Sequence, residues 1–383
     1  YKGFKISVLI FAVVFMCTYV TYSVEPGDAP PQDSGVPAGE AAVSPEPSIA
    51  PEPSVTPEPM PDVPVEQDPA SVPEAPEPEK PDEAQLKAAA AFSREVDAIV
   101  MKHINAFYKK GGKGTIGIFI EELETGFEYA YNGEKTNPDN PVEGYFNTAS
   151  TCKLLSAAVM YHLNECGELE LDKTYRDEIT GRQYNLKKLL PRMISHSVND
   201  YFNITLRHLG AAEINRILLE LGLKHSIVYS EIMPAEASSI KNNIERYGIS
   251  RSPRTTPWDL GYVLQLLYDE KTFGAENSKL FTKSLLDNIY SNRLPSGVGH
   301  RSPVAHKTGT SSGEGVYNDA GIIFLEGNPY IMVVMSKGSG SGVQSLYRTI
   351  TGEVYDYMKK RTDIQSLIPQ YSFASFSILA NLV

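Results

Sequence analysis

An α/β (α+β) fold, with strands gathered at two points of the chain and helices filling the rest, is what this sequence predicts. Strand-like runs occur at Thr115–Glu121 and Gly126–Asn132 and again between about Val304 and Ser336, whereas Ser150 to roughly Asn288 reads as successive helices. Long helical patterns close both ends of this region, Glu83–Lys110 and Val343–Lys360. One domain with two lobes, residues 83–361, accommodates all of them.

Two segments precede that domain. Ile6 to Val24 is apolar and follows Lys2 and Lys5, and at about 1.5 Å per residue it is long enough to cross a bilayer of about 30 Å. Residues 1–24 are therefore expected to be a single-pass anchor with a cytoplasmic N-terminus, which puts everything after it outside. A cleaved signal segment is the alternative, although no small-x-small site stands near Thr21-Tyr22-Ser23-Val24. The bulky Phe15 and Met16 before Cys17 argue against a lipoprotein cysteine.

Residues 25–82 form a Pro/Glu-rich linker with repeated Pro-Glu-Pro units, among them Pro45-Glu46-Pro47 and Pro51-Glu52-Pro53. Such composition favours extended polyproline conformations, a reach on the order of 150 Å at about 3.1 Å per residue. From Glu25 to Glu83 the chain carries 15 Asp/Glu and one Lys, a net of −14 against −12 for the whole, so the remainder is near +2. The acidity thus says nothing about the partners of the folded domain. No basic aromatic stripe or zinc spacing points to nucleic acid or metal.

Within the domain, two strands joined around Glu124-Thr125-Gly126 follow the first helix. The helical section opens at Ser150-Thr151-Cys152-Lys153, and the apolar run Leu154, Leu155, Ala157, Ala158, Val159 and Met160 marks a buried helix. Residues three apart share a helix face, so the Lys153 amine can sit one turn from the Ser150 hydroxyl. A serine hydroxyl needs an adjacent base to be a nucleophile at neutral pH. Burial and a neighbouring cation, Lys307, would lower the Lys153 pKa into range for that role. Ser238-Ser239-Ile240-Lys241 repeats the spacing, but it runs into Asn242-Asn243-Ile244-Glu245-Arg246, which offers no buried face. Ser197-Val198-Asn199 reads as a connection between two helices. Val304 to Thr310, containing Lys307-Thr308-Gly309, alternates as a strand, and Gly309 would let a substrate backbone approach closely. Gly321–Leu325 and Tyr330–Met335 follow as a hairpin around Glu326-Gly327-Asn328-Pro329.

Ser-x-x-Lys, Ser-x-Asn and Lys-Thr-Gly in this order resemble the signatures of the penicillin-recognising serine enzymes, the class A β-lactamases and penicillin-binding DD-peptidases. The resemblance implies a β-lactamase/transpeptidase-like fold, an antiparallel sheet flanked by terminal helices with an inserted all-α lobe and the active site between them. It implies that Ser150 is the nucleophile, Lys153 the general base and Ser197 a proton relay. Asn199 would hold the substrate's amide side chain, Lys307 and Thr308 its carboxylate, and the N–H groups of Ser150 and Thr310 the oxyanion. Gly309 belongs to the same substrate-binding motif.

The sequence departs from the class A pattern in two places. Val198 stands where the β-lactamases usually carry Asp, and the Glu-x-x-x-Asn of the deacylating loop is missing between His225 and Pro257. There Glu231 and Glu236 are the carboxylates before Glu245, Glu236 being the candidate base, and Pro253-Arg254 replace the acidic residue before the threonines. Three functions are compatible with these features. The first is an extracytoplasmic serine hydrolase opening β-lactam amides through an acyl-enzyme, the second a D-Ala-D-Ala peptidase of peptidoglycan slow to release β-lactams, and the third a non-catalytic cell-wall or antibiotic sensing module. An intact Ser150, Lys153 and Lys307 set favours an enzyme.

Smaller constraints complete the reading. Cys152 and Cys166 on one helix would be about 21 Å apart, too far for a disulfide, and Cys152 reads as a buried neighbour of the nucleophile. His196 and His306 flank motifs, but no carboxylate is spaced to orient either as a base. Arg293 and Arg301 precede the Lys-Thr-Gly strand without revealing which, if either, meets a substrate carboxylate. A monomer needing no metal or organic cofactor is expected, and the tail 362–383 has no assignable role.

Overall fold

The computed structural model describes residues 83–133, 146–232 and 237–365. Helix α1 (Glu83–Lys109) buries Phe92, Val96, Val100 and Ile104, whose four-residue spacing lines one face. Strands β1 (Thr115–Glu122) and β2 (Phe127–Tyr131) form the expected hairpin, and Gly126 supplies the positive φ that the turn requires. The chain continues through β3 (Phe146–Asn147), a 3₁₀ turn Ala149–Thr151, and α2 (Cys152–Glu165). The short hairpin of β4 (Thr174–Arg176) and β5 (Gln183–Asn185) leads to α3 (Leu186–Ser195), α4 (Asn199–Leu209) and α5 (Ala211–Glu220). Next come α6 (Ala237–Tyr247), β6 (Arg254–Thr255), α7 (Pro257–Tyr268), α8 (Ala275–Leu286) and α9 (Leu294–Val298). Three long strands, β7 (Val304–Ser311), β8 (Val316–Ile323) and β9 (Tyr330–Lys337), precede α10 (Val343–Gln365).

The main sheet has the order β2-β1-β9-β8-β7, with every neighbouring pair antiparallel. Both its faces are covered, and the period-two alternation of its strands divides side chains between two cores. Ile116, Ile118 and Ile120 of β1, with Met332 and Val334 of β9, pack under α1, α9 and α10. Phe119, Ile331, Val333 and Met335 point the other way, into the core of the helical lobe. Helix α2 is the axis of that lobe: its residues from Cys152 to Tyr161 are all buried, as expected of a helix surrounded on every side. Helix α7 joins lobe to sheet. It starts with Thr256 accepting from Asp259 N and Pro257 in the first turn, where its missing N–H costs nothing.

The expected class, an antiparallel sheet between terminal helices with an inserted all-α lobe, is what the structure shows. Several boundaries differ, three of them as follows. Strand β8 begins at Val316 and not Gly321, because Asn318 and Asp319 are buried on partners of their own and break the apolar alternation. Helix α10 runs to Gln365, past the expected Lys360 and the expected domain end at 361. Helix α2 begins at Cys152, because Ala149–Thr151 close a 3₁₀ turn first. The expected anchor, the linker, Glu236 and the tail beyond Gln365 lie outside the described residues. Among those described, no helix is long and apolar enough to cross a membrane.

Gly261 sets the distance between α7 and the sheet. A Cβ there would meet the Phe119 ring at 2.3 Å, and that ring is itself buried and cannot swing away. Helix propensity favours alanine by about 1 kcal/mol, whereas overpacking a core costs about 1–3 kcal/mol. Gly261→Ala is therefore expected to lower the urea midpoint of unfolding; an unchanged or raised midpoint would show that the contact is not tight.

Candidate active site

The first two sequence motifs, and Thr310 directly after the third, meet at one cavity of about 460 Å³, bordered by Ser150, Asn199 and Thr310 and by the loop residues Glu231, Ile232 and Arg251. Ser150 sits in the 3₁₀ turn before α2, and Lys153 follows in the first turn of that helix. The Lys153 Nζ donates to Ser150 Oγ at 2.8 Å and to Asn199 Oδ1 at 2.9 Å. Asn199 reaches this point because α4 starts with it, directly after Ser197 turns the chain at φ +56°. On the other side Lys307 of β7 donates to Ser197 Oγ at 2.9 Å and to the Thr308 carbonyl at 2.8 Å.

Neither lysine reaches solvent. Burial disfavours the ammonium form and brings Lys153 down to about 8. Burial and then the charge of Lys153 bring Lys307 down to about 7. The repulsion between the two amines is mutual, so it adds to burial in disfavouring the doubly charged pair. A base that exists partly neutral near pH 8, in hydrogen-bond contact with a hydroxyl, can take a proton from it.

The turn that carries Ser150 is held from three directions. Asn318 of β8 donates through Nδ2 to the carbonyls of Asn147 at 2.8 Å and Thr148 at 3.0 Å. Thr148 N donates to Pro253 O at 3.0 Å, and β3 pairs with β6. Strand β7 lies flush against the turn: a Cβ on Gly309 would meet Thr148 O at 2.5 Å and Thr151 N at 2.9 Å. Gly309, the glycine expected to admit a substrate backbone, also admits the backbone beside Ser150. Ala149, next to Ser150, is fixed at φ +43°, a conformation that needs such bracing.

Other sequence expectations resolve as follows. Of the two arginines before the Lys-Thr-Gly strand, Arg293 is the one that reaches Thr310 at the cavity edge. It is buried, and its Nη2 donates to Thr310 Oγ1 at 2.6 Å while Nη1 donates to Asn318 O at 2.6 Å. Arg301 pairs instead with Asp356 at 2.5 Å. His306 does have a carboxylate, contrary to expectation: its Nδ1 lies 2.8 Å from Asp319 Oδ1, both side chains buried behind β7. The pair spans adjacent strands diagonally, which chain spacing alone does not reveal. Cys152 is buried with its thiol pushed up to about 11, and Cys166 is free and exposed, so no bridge joins them.

The loop after α5 presents Glu231 and Ile232 to the cavity. Glu231 is engaged: Arg207 approaches at 3.0 Å, Arg246 is paired with it, and Tyr247 Oη donates to it at 3.2 Å. The Asn203 side chain bonds both backbone groups of Ile232, accepting from its N at 3.0 Å and donating to its O at 3.2 Å. Sequence reading overlooked Asn203, Ile232 and Arg207; only Asn203, one turn beyond Asn199, had a positional signal.

Among solved structures, PBP-A is similar, with a TM-score of 0.56 and 20% identity over 69% of this chain and 96% of that one. A variant of PBP-A in an acyl-enzyme complex with penicillin G aligns equally well. A β-lactamase of Xanthomonas campestris pv. campestris gives a TM-score of 0.57 at 19% identity, over 68% of this chain and 98% of its own. An ancestral class A β-lactamase of Gram-negative bacteria gives 0.53 at 20% identity, over 69% and 99%. These likenesses establish the fold. No curated protein sequence matches the chain. The sequence model of the β-lactamase enzyme family spans residues 99–358, which include all three motifs and both strand clusters, and this chain, a serine hydrolase, belongs to that family.

Proposed function

We propose that the protein opens the cyclic amide of β-lactams through an acyl-enzyme on Ser150. The observation that carries this reading is the 2.8 Å hydrogen bond to Ser150 Oγ from a lysine that burial brings down to about 8. Neutral Lys153 takes the hydroxyl proton as Oγ bonds to the carbonyl carbon. The oxyanion is received by the N–H groups of Ser150 and Thr310. When the C–N bond breaks, Ser197 gives its proton to the departing nitrogen and is resupplied from Lys307 or Lys153. Lys307, Thr308 and Thr310, backed by Arg293, hold the substrate carboxylate, and Asn199 holds its amide. The reaction belongs outside the membrane, with Ile6–Val24 as anchor or export signal. That a variant of PBP-A forms an acyl-enzyme with penicillin G supports the same chemistry here.

One observation favours a second reading, a D-Ala-D-Ala peptidase that releases β-lactams slowly. Among the described residues bordering the cavity, Glu231 is the one carboxylate, and its three partners hold it as a counter-ion. A carboxylate so engaged is poorly placed to take a proton from water. Intact-protein mass after mixing with benzylpenicillin separates the two readings. An adduct that appears and decays with hydrolysis of the drug indicates a β-lactamase, and one that persists indicates a peptidase. No adduct in the wild type, or one that survives Ser150→Ala, would overturn both.

Lys153→Ala is expected to slow adduct formation by about 10²–10⁴-fold, the usual worth of a positioned base; a loss under threefold would remove Lys153 from that role. The pH profile follows from the two amines. Below about 8 Lys153 is mostly protonated and cannot accept a proton, so the maximal acylation rate is expected to rise with pH through that value. Lys307 loses its charge from about 7 upward, so the apparent affinity for a carboxylate-bearing β-lactam is expected to weaken over the same range. A rate that falls with pH across this window would contradict a neutral lysine base.

A further inference from the structure

A second cavity, of about 430 Å³, lies between α5, residues 224–229, the Arg251–Arg254 segment and the end of β9. Lys224, Arg251, Arg254 and Lys337 all line it, and no Asp or Glu does. Among the described residues none of these four side chains forms an ion pair. The Arg254 Nε is buried without a hydrogen-bond partner. The Arg251 guanidinium lies over the Tyr229 ring, 5.0 Å from its centroid. The chain outside the Pro/Glu segment is near neutral, so four cations lining one cavity are a local concentration and not the general composition; the buried Asp259 carboxylate lies behind its wall, accepting from His225 N and Ser226 Oγ.

Like charges gathered around a concave surface repel one another and focus the potential into it. An oxyanion in the cavity relieves that repulsion, and guanidinium forks beside lysines suit the geometry of phosphate oxygens. Leu219, more than half exposed at the rim, and Tyr229 offer apolar surface for the rest of a ligand. We infer that this cavity is a binding site for a phosphorylated organic ligand carrying at least two negative charges. The inference stands independently of the reaction at Ser150.

Calorimetric titration of the full chain with inorganic pyrophosphate tests it, with citrate as a carboxylate of comparable charge. Saturable one-to-one binding is expected, tighter for pyrophosphate and weakened by salt. Lys224 and Lys337 are exposed, so the double variant Lys224→Ala/Lys337→Ala is expected to keep its melting curve and its reaction with benzylpenicillin. It should bind pyrophosphate at least about tenfold more weakly, as loss of a charge-assisted contact implies. Arg254→Gln should weaken binding as well, and Ser150→Ala should leave it unchanged. Absence of saturable binding, or binding undiminished in the double variant, would overturn the site. Citrate binding as tightly as pyrophosphate would overturn the assignment to phosphate.

Discussion

Burying Lys153 and Lys307 beneath one cavity is costly, since each ammonium gives up its water and each repels the other. The surrounding structure answers that cost with acceptors placed for both amines: Ser150 and Asn199 for one, Ser197 and the Thr308 carbonyl for the other. Because acceptors and not carboxylates line the pair, the lysines are not locked in their charged forms. Their neutral forms are reached near physiological pH, and a hydroxyl lies next to each.

That arrangement demands a rigid frame, because a hydrogen bond between a turn and a helix tolerates little drift. Ala149 and Ser197 occupy backbone conformations that cost of order 1–3 kcal/mol each and persist only where neighbours over-determine them. Asn318, Pro253 and the flush contact at Gly309 do so for the first. The two cores, one on each face of the sheet, fix β7 and β8 as the wall against which the nucleophile turn is pressed. Behind this wall the buried Asp319 binds His306 and the first N–H of α9, the helix that directly follows Arg293. The sheet thus positions the arginine as well as the Lys307-Thr308-Gly309 strand.

The loop between α5 and α7 is where this chain departs from the class A pattern. Its carboxylate at the cavity is tied to Arg207 and Arg246, and an isoleucine follows it, fastened through its backbone by Asn203. Among its described residues, this segment presents a charge-compensated carboxylate and an apolar side chain to the cavity.

Much of this was legible in the chain. The apolar run after Lys153, the Thr256-Pro257 cap and the strand alternation specify local elements, because local periodicity and capping are decided within a few residues. The three motifs and their order likewise named Ser150, Lys153, Ser197, Asn199 and Lys307. What the sequence could not decide depends on pairs distant in the chain. Arg293 and Arg301 are equivalent as text, and tertiary packing separates them by setting one against Thr310 of β7 and the other against Asp356 of α10. His306 meets Asp319 only because β7 and β8 align diagonally, and Glu231 is engaged only because α4 and α6 each bring it an arginine. By itself the sequence determined the elements and the motif residues; tertiary packing decided the protonation and the neighbours of those residues, because burial and long-range contact exist only once the chain has folded.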